Sequence, residues 1–192
     1  FKEKVIAFAD SNLFKMFSFK LIMGDKGTVL KQPSSIVISE HIAQKYFGNK
    51  NPIGQVFKLN NSIDYTITGV FENIPDNSHF HYNIFITLTD ANKVFGTEMM
   101  NNRGWQNFLV YFNMQKGFSK KELEKKISQL MKNPNKPDAP LSKFTVQNLK
   151  DIHLYSSHFK NDIQAQNSIT YVIIFSAIGL LILLIASFNY IN

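Results

Sequence analysis

The chain contains no cysteine, which excludes a disulfide framework and any thiolate-ligated metal site and leaves the redox compartment open. It contains one arginine, Arg103, against a formal net charge of +7. Bidentate contacts to phosphates and base edges favour arginine, and the lysines are scattered, so the charge reads as a solvated surface. Nucleic acid is not expected as a partner. Neither a Gly-x-Gly-x-x-Gly run nor a phosphate loop ending in Gly-Lys-Ser/Thr occurs. The chain is therefore not expected to bind or hydrolyse ATP, and an energy source would lie on another chain. Finally, no charged residue follows Asp162.

That last absence frames the most informative stretch. A helix from Tyr171 to Phe188 is roughly 27 Å long at about 1.5 Å per residue, close to the roughly 30 Å hydrocarbon core of a bilayer. A buried helix of a soluble protein keeps a polar stripe, whereas this one is apolar on every face. Residues 169–191 are read as a transmembrane helix, with Tyr171, Phe175, Leu180, Leu184 and Phe188 as its membrane anchor. Tyr171 and Tyr190 stand near the two ends, where amphipathic rings favour the water interface. The run lies at the wrong end of the chain for a cleavable signal peptide. Phe1 is not an initiator methionine and the apolar segment stops as soon as it has crossed, so a piece of a longer protein is expected. Only Lys160 lies close before the span, so charge does not fix its orientation.

The preceding residues are long enough for one domain or two small lobes. Residues 5–9 read as a short buried strand, after which Asp10 or Ser11 caps a brief helix through Leu13, Phe14 and Phe17. Gly24-Asp25 is a turn signal. Ser35-Ile-Val-Ile-Ser39 is a β-branched run suited to a buried strand, and Ser39 caps a helix that carries Ile42, Ala43, Tyr46 and Phe47 inward until Gly48 stops it. After an Asn51-Pro-Ile-Gly turn, residues 56–59 and 64–71 read as a hairpin around Asn60-Asn61, wet on one face. Residues 72–78 have loop chemistry, 80–88 are another strand, and 89–104 a short helix with a surface loop.

Residues 105–114 then read as a strand. A helix comes next, with Ser119 and Glu122 as a capping box and Phe118 stapled to Leu123. Leu123, Ile127, Leu130 and Met131 line one of its faces and Lys120, Lys121, Lys125 and Lys132 another, and Asn133-Pro134 ends it. Residues 144–149 are a further strand and 152–155 continue extended. The expected division is a β-rich lobe over 1–104, a β-α-β lobe over 105–156, a linker over 157–168 and the membrane helix.

Candidate chemistry is sparse. His79 and His81 stand two apart near Asp76 and on an extended segment project to one side, which is half of a metal site. No third and fourth ligand occur at a recognisable spacing. They are the weak metal candidates, and no catalytic or cofactor-binding residue is assigned. His41 and His153 are single histidines. Ser39-Glu40-His41 has the residue types of nucleophilic catalysis, but adjacency is not triad geometry and Ser39 already has a capping role. The 18 phenylalanines fall mostly within strands and helix faces and read as core, with a few in residues 72–82 available for a partner surface.

Taken in order, Phe8-Ala-Asp-Ser-Asn-Leu-Phe-Lys-Met-Phe-Ser-Phe, Met23-Gly-Asp, Ser35-Ile-Val-Ile-Ser-Glu-His-Ile-Ala-Gln-Lys-Tyr-Phe-Gly and Asn51-Pro-Ile-Gly form a recognisable set. With Tyr65-Thr-Ile-Thr-Gly-Val-Phe-Glu-Asn-Ile-Pro-Asp-Asn-Ser-His-Phe, Asp151-Ile-His-Leu-Tyr-Ser and Phe188-Asn-Tyr-Ile-Asn, the chain resembles the extracytoplasmic domain of MacB/FtsX-type ABC transporter permeases, in their Bacteroidetes-like branch. The resemblance implies an α+β, two-lobed mixed α/β domain followed by the C-terminal transmembrane helix, with a further helix before Phe1 and more beyond Asn192. It implies a non-catalytic part without cofactors that transmits ATP-driven motion across the inner (cytoplasmic) membrane, with the globular domain facing the periplasm. The implied partners are a cytoplasmic ABC ATPase subunit, a second permease subunit in a homodimer or heterodimer, a periplasmic adaptor or substrate protein, and membrane lipid. Residues 105–149 would be the membrane-proximal lobe and the earlier hairpin region the distal one. The alternative is a membrane-anchored extracytoplasmic sensor or ligand-binding domain, in which a cytoplasmic signalling segment rather than further apolar spans would come after Asn192.

Overall fold

Ser35-Ile-Val-Ile-Ser39 offers no alternate residue for water, so a strand made of it must be covered on both faces. A computed structural model describes residues 6–59, 62–75, 78–102, 108–132, 143–155 and 169–191, and in it all five of these residues are buried. The chain forms two compact units, Phe1–Asn113 and Met114–Asn192.

In the first unit the order is β1 (Ile6–Ala9), α1 (Leu13–Met16), β2 (Leu21–Met23), β3 (Ser35–Ser39), α2 (Glu40–Phe47), β4 (Val56–Leu59), β5 (Ile63–Phe71), β6 (Ile84–Thr87), α3 (Ala91–Phe95) and α4 (Thr97–Asn101). The six strands make one mixed sheet in the order β1-β6-β3-β5-β2, with β4 also on β5. β1 runs parallel to β6 and β3 parallel to β5, while β6 is antiparallel to β3. The nine-residue β5 serves three partners. β3 takes one edge, and the other is divided between β4, along Ile63–Thr66, and β2, at Val70 and Phe71.

Strand alternation sorts the apolar side chains into two cores. Ile36, Ile38, Tyr65, Ile67, Ile84 and Ile86 face one side, where Ile42 of α2 is buried among them and Ala43, Tyr46 and Phe47 close the edge. Val37, Phe71, Phe85 and Ala9 face the other, under Phe14 of α1 and Val29 and Leu30 of the turn that follows β2. α2 begins as its sequence predicts: Ser39 Oγ accepts from Ile42 N at 3.3 Å, and Gly48, at φ 57°, ends it.

Between Ile36 and Val37 the β3–β5 register slips by one residue, passing over Thr68, whose Oγ1 donates to the Ile36 carbonyl at 3.2 Å. Two glycines make this irregularity possible. A Cβ on Gly69 would lie 2.9 Å from Val29 Cγ1, and one on Gly24, at φ +94°, would lie 2.6 Å from the Thr68 carbonyl oxygen. The strand edge and the turn after β2 therefore touch backbone to backbone.

Several expectations are corrected. The first helix has Asn12 at its N-cap rather than Asp10 or Ser11. Asp10 Oδ1 accepts from Asn12 N at 2.8 Å, and this local turn uses the side chain before the helix starts. The strand expected over 80–88 begins at Ile84, because Phe80 N is drawn to Ser78 Oγ at 3.2 Å and its ring into the aromatic cluster described below. The segment after β6 is helical in two short pieces, α3 and α4.

In the second unit, α5 (Lys120–Leu130) is present with Ser119 at its N-cap, but the Ser119 side chain makes no cap bond. Leu123 and Ile127 are half-buried, while Leu130 and Met131 are exposed rather than inward. The expected β-α-β arrangement lacks its strands: residues 108–113 and 143–148 have no ladder partner among the described residues. Their apolar and β-branched residues supply strand propensity without a neighbouring edge, and Glu124 Oε1 of α5 takes the Val146 N–H at 2.9 Å. Ile152–Tyr155, expected to be extended, is a short helix, α6, after a 3-10 turn. α7 spans Ile169–Ile191. The Asn60-Asn61 turn, Trp105, Asn133-Pro134 and the 157–168 linker lie outside the described residues.

Gly24 and Gly54 both sit at positive φ, but a Cβ on Gly54 meets nothing within 4 Å. The left-handed backbone cost is shared, so the difference between their alanine variants isolates the clash. Gly24→Ala is expected to lose about 1–3 kcal/mol more than Gly54→Ala, read as urea midpoints at constant m. Equal losses would place the close approach elsewhere.

Candidate functional site

Ser39, Glu40 and His41 do not form a reaction centre. Ser39 Oγ is fully buried and engaged at the start of α2, whereas Glu40 and His41 are exposed, with His41 N donating to Asn73 Oδ1 at 3.0 Å. Beginning a helix on the last residue of a buried strand forces that serine inward.

Among the described residues of the sheet-bearing unit Asp90 is a buried carboxylate, with 2% exposure. It sits at the start of α3, accepts from Ser34 N at 2.7 Å through Oδ2 and pairs with Lys93 Nζ at 2.9 Å through Oδ1. Lys93 also donates to Ser34 Oγ at 3.0 Å. Ser34 and Leu30 have positive φ, 56° and 60°, and Thr87 Oγ1 donates to the Leu30 carbonyl at 2.9 Å. The cluster therefore clamps a left-handed turn ahead of β3. The Asp90–Lys93 spacing was visible in the sequence, but nothing there pointed to Ser34, 56 residues away.

Tyr65 is fully buried on β5, and its hydroxyl has no hydrogen-bond partner among the described residues. Burial first, and then the charge of Asp90, push its phenol above the ordinary tyrosine value. Burial alone does the same to Tyr82.

The two metal candidates have different surroundings. His81 is exposed. His79 is half-buried, with Nε2 3.0 Å from the Tyr111 hydroxyl and its ring edge-on to Phe80 at 5.3 Å. Asp76 lies outside the described residues, as does the side chain of His153. Among the described residues no group of three or more His, Cys, Asp or Glu side chains is placed to hold a metal ion. The Tyr111 partner carries no signal in the sequence, because it lies 32 residues from His79.

His79 opens onto an aromatic cluster. Phe80 packs on Phe17 at 4.8 Å and on Phe19 at 5.5 Å, Phe19 reaches Phe85 at 6.2 Å, and Phe14 touches Phe19, Phe71 and Phe85 at about 6 Å between centroids. Six of the 18 phenylalanines thus form a sheet-covering layer, while Phe95, Phe108, Phe112, Phe118, Phe175 and Phe188 are exposed.

A further feature is α7, 23 residues that include an 18-residue stretch with a mean hydropathy of 2.8, and with no buried residue. Tyr171, Phe175, Leu180, Leu184 and Phe188 are all exposed along it. Its Ser187 hydroxyl donates to the Leu183 carbonyl at 2.8 Å, which satisfies that polar group within the helix. By length and composition α7 is able to cross a membrane.

A mixed sheet clamped by structural polar contacts and joined in one chain to such a helix is the setting for the comparison with known proteins. Residues 2–130 match the family described as the MacB-like periplasmic core domain. The chain belongs to that family. No curated protein matches it significantly. Among solved structures, it is similar to a domain of a protein named as a permease from Porphyromonas gingivalis, at 20% identity and a TM-score of 0.50, over 76% of this chain and 69% of that one. It is also matched to the periplasmic region of MacB from Actinobacillus actinomycetemcomitans, at 18% identity and a TM-score of 0.41, over 64% of this chain and 52% of that one. The fold is the expected mixed α/β type, and the chain is a MacB-like periplasmic core domain of an ABC-type permease carrying a candidate membrane span.

The raised Tyr65 phenol has a signed consequence. Above about pH 10 the unfolded chain loses this proton while the folded chain retains it, so stability falls as pH rises past the ordinary tyrosine value. Tyr65→Phe is expected to reduce that slope, leaving the share due to Tyr82, with little loss of stability at pH 7 because the hydroxyl has no partner to lose among the described residues. Unfolding midpoints between about pH 8 and 11 check this, and a slope unchanged by the substitution contradicts it.

Proposed function

We propose that this domain transmits ATP-driven conformational change across a membrane for the export or extraction of a substrate, as the periplasmic part of a permease subunit. The observation that carries the reading is the family match over residues 2–130 followed, in the same chain, by the apolar helix Ile169–Ile191. ATP hydrolysis belongs to a separate cytoplasmic ABC ATPase subunit. A second permease subunit, identical or not, completes the transporter, and a periplasmic adaptor or substrate protein meets the domain. The membrane is the inner membrane, with the globular part facing the periplasm.

Residues 1–104 serve as the distal lobe, 105–156 as the membrane-proximal lobe, and 157–168 as the link to α7. The anchoring side chains of α7 are Tyr171, Phe175, Leu180, Leu184 and Phe188. What supports two bodies is the split of the chain into two compact units with α7 in the second; their boundary falls after Asn113, so residues 108–113 group with the first unit. A two-state lever needs stiff bodies and a stiff link, because a ligand or nucleotide moves an equilibrium only through contacts that differ between the states.

Two measurements test the reading. Full-length protein purified from membranes in mild detergent is expected to bring down a stoichiometric Walker-type ATPase, identified by mass spectrometry; a kinase in its place favours the sensor. A flexible Gly/Ser insertion after Ser157 is expected to leave the domain folded and ATP hydrolysis intact while abolishing transport, and undiminished transport would count against the coupling role of the link.

A further inference from the structure

Residues 108–113 end the first unit, and Phe108, Leu109, Val110, Phe112 and Asn113 are all exposed. Tyr111 is the exception in this run. Its ring stands edge-on to Phe17 at 5.1 Å and 89°, lies 5.5 Å from Phe80 and 6.3 Å from His79, and its hydroxyl is 3.0 Å from His79 Nε2.

The layer that Tyr111 enters is continuous with the sheet. Phe17 meets Phe80, Phe80 meets Phe19, and Phe19 meets Phe85 of β6, which is 1% exposed and also touches Phe71 of β5 at 5.4 Å. A displacement of the chain at residue 113 therefore reaches β6 and β5 through rigid rings. A tyrosine ring has few torsions to absorb such a displacement, and close-packed interiors transmit strain.

We propose that Tyr111, seated on Phe17 and Phe80 and oriented by His79, is the joint that fastens the sheet-bearing unit to the chain leading toward α7. His79 is a positioning residue in this account. Tyrosine hydroxyl and imidazole can each donate or accept, so the bond survives a change of histidine tautomer, and in imidazolium the ring N–H donates to the phenol oxygen. The coupling role of the joint rests on the function proposed above; the fastening does not.

The absence of cysteine makes the test direct. Spin labels at Lys50→Cys and Asn113→Cys, both exposed positions of the first unit, are introduced into the full chain in lipid nanodiscs and read by pulsed electron resonance. With Tyr111 intact a single narrow distance distribution is expected. Tyr111→Ala broadens it by about twofold or more, Tyr111→Phe gives an intermediate width because the ring contacts remain, and Phe112→Ala leaves it narrow. Far-ultraviolet circular dichroism and the melting midpoint establish that the sheet persists. If Tyr111→Ala unfolds the unit, His79→Gln and Tyr111→Phe, which keep the packing, carry the test: Tyr111→Phe broadens and His79→Gln, which can still bond the hydroxyl, does so less. A broad distribution in the parent chain, or no broadening in any Tyr111 or His79 variant, overturns the joint.

The second arm uses the full-length permease with its ATPase and labels at Lys50→Cys and Thr170→Cys. A nucleotide-dependent distance change is expected with Tyr111 present, and its loss with hydrolysis preserved in Tyr111→Phe or Tyr111→Ala. A full change in both variants overturns the coupling role. Absence of the change in the parent refutes the lever function itself, while the label widths in the chain alone still decide whether the joint exists.

Discussion

The parallel pairing of β3 with β5 is the constraint on which the rest of the first unit depends. Every side chain of β3 is buried, so both faces of the sheet must be covered, and two apolar layers form instead of one. The register slip at Gly69 lets β5 hold β3 along one edge and both β4 and β2 along the other. Filling the space at Gly24 or Gly69 would push the turn after β2 away from the strand. The Asp90 clamp serves the same pairing, because it fixes the backbone of Ser34 at the entry to β3. Positive φ at a serine is unfavourable, and the carboxylate contact, with Lys93 beside it, offsets that cost.

Local pattern carried the elements whose formation is decided locally. The serine cap of α2, its stop at Gly48, the β4–β5 hairpin and α7 all depend on neighbours within a few residues, and each stands where its residues predict. Partner choice is another matter. Nothing in Ile6–Ala9 names Ile84–Thr87 as its parallel partner, across more than 70 residues, and pairings of that range are fixed by total burial rather than by sequence period. Residues 108–113 show the converse error. Phe108 to Phe112 is a continuous apolar run with strand propensity, yet propensity states only that a strand would be favourable beside an edge, and among the described residues no edge is there.

The candidate site was less legible than the fold for a related reason. His79 and His81 looked alike in sequence because two residues apart on an extended segment means one face. In the structure residues 78–82 are not part of a strand, and the two imidazoles part company, one onto Tyr111 and one into solvent. A metal site needs convergent ligands with open lone pairs, whereas His79 Nε2 is spent on a hydroxyl. The same contact explains why some of the aromatic residues between 72 and 82 are core and not partner surface: Phe80 is the bridge between that loop and the layer on Phe19.

Mechanical transmission places demands on a protein that differ from those of catalysis. Among the described residues the groups whose titration is shifted, Tyr65 and Tyr82, are phenols held neutral by burial. Stiffness comes from the layers themselves. A sheet packed on both faces moves as one body, so relative motion has to be taken up where packing is thin, at chain segments with exposed side chains. Residues 108–113 are such a segment, and within it the Tyr111 ring packs on Phe17 and Phe80. If motion is passed along this chain, the number of packed contacts at that point sets how much is lost on the way, and the Tyr111 ring supplies contacts there.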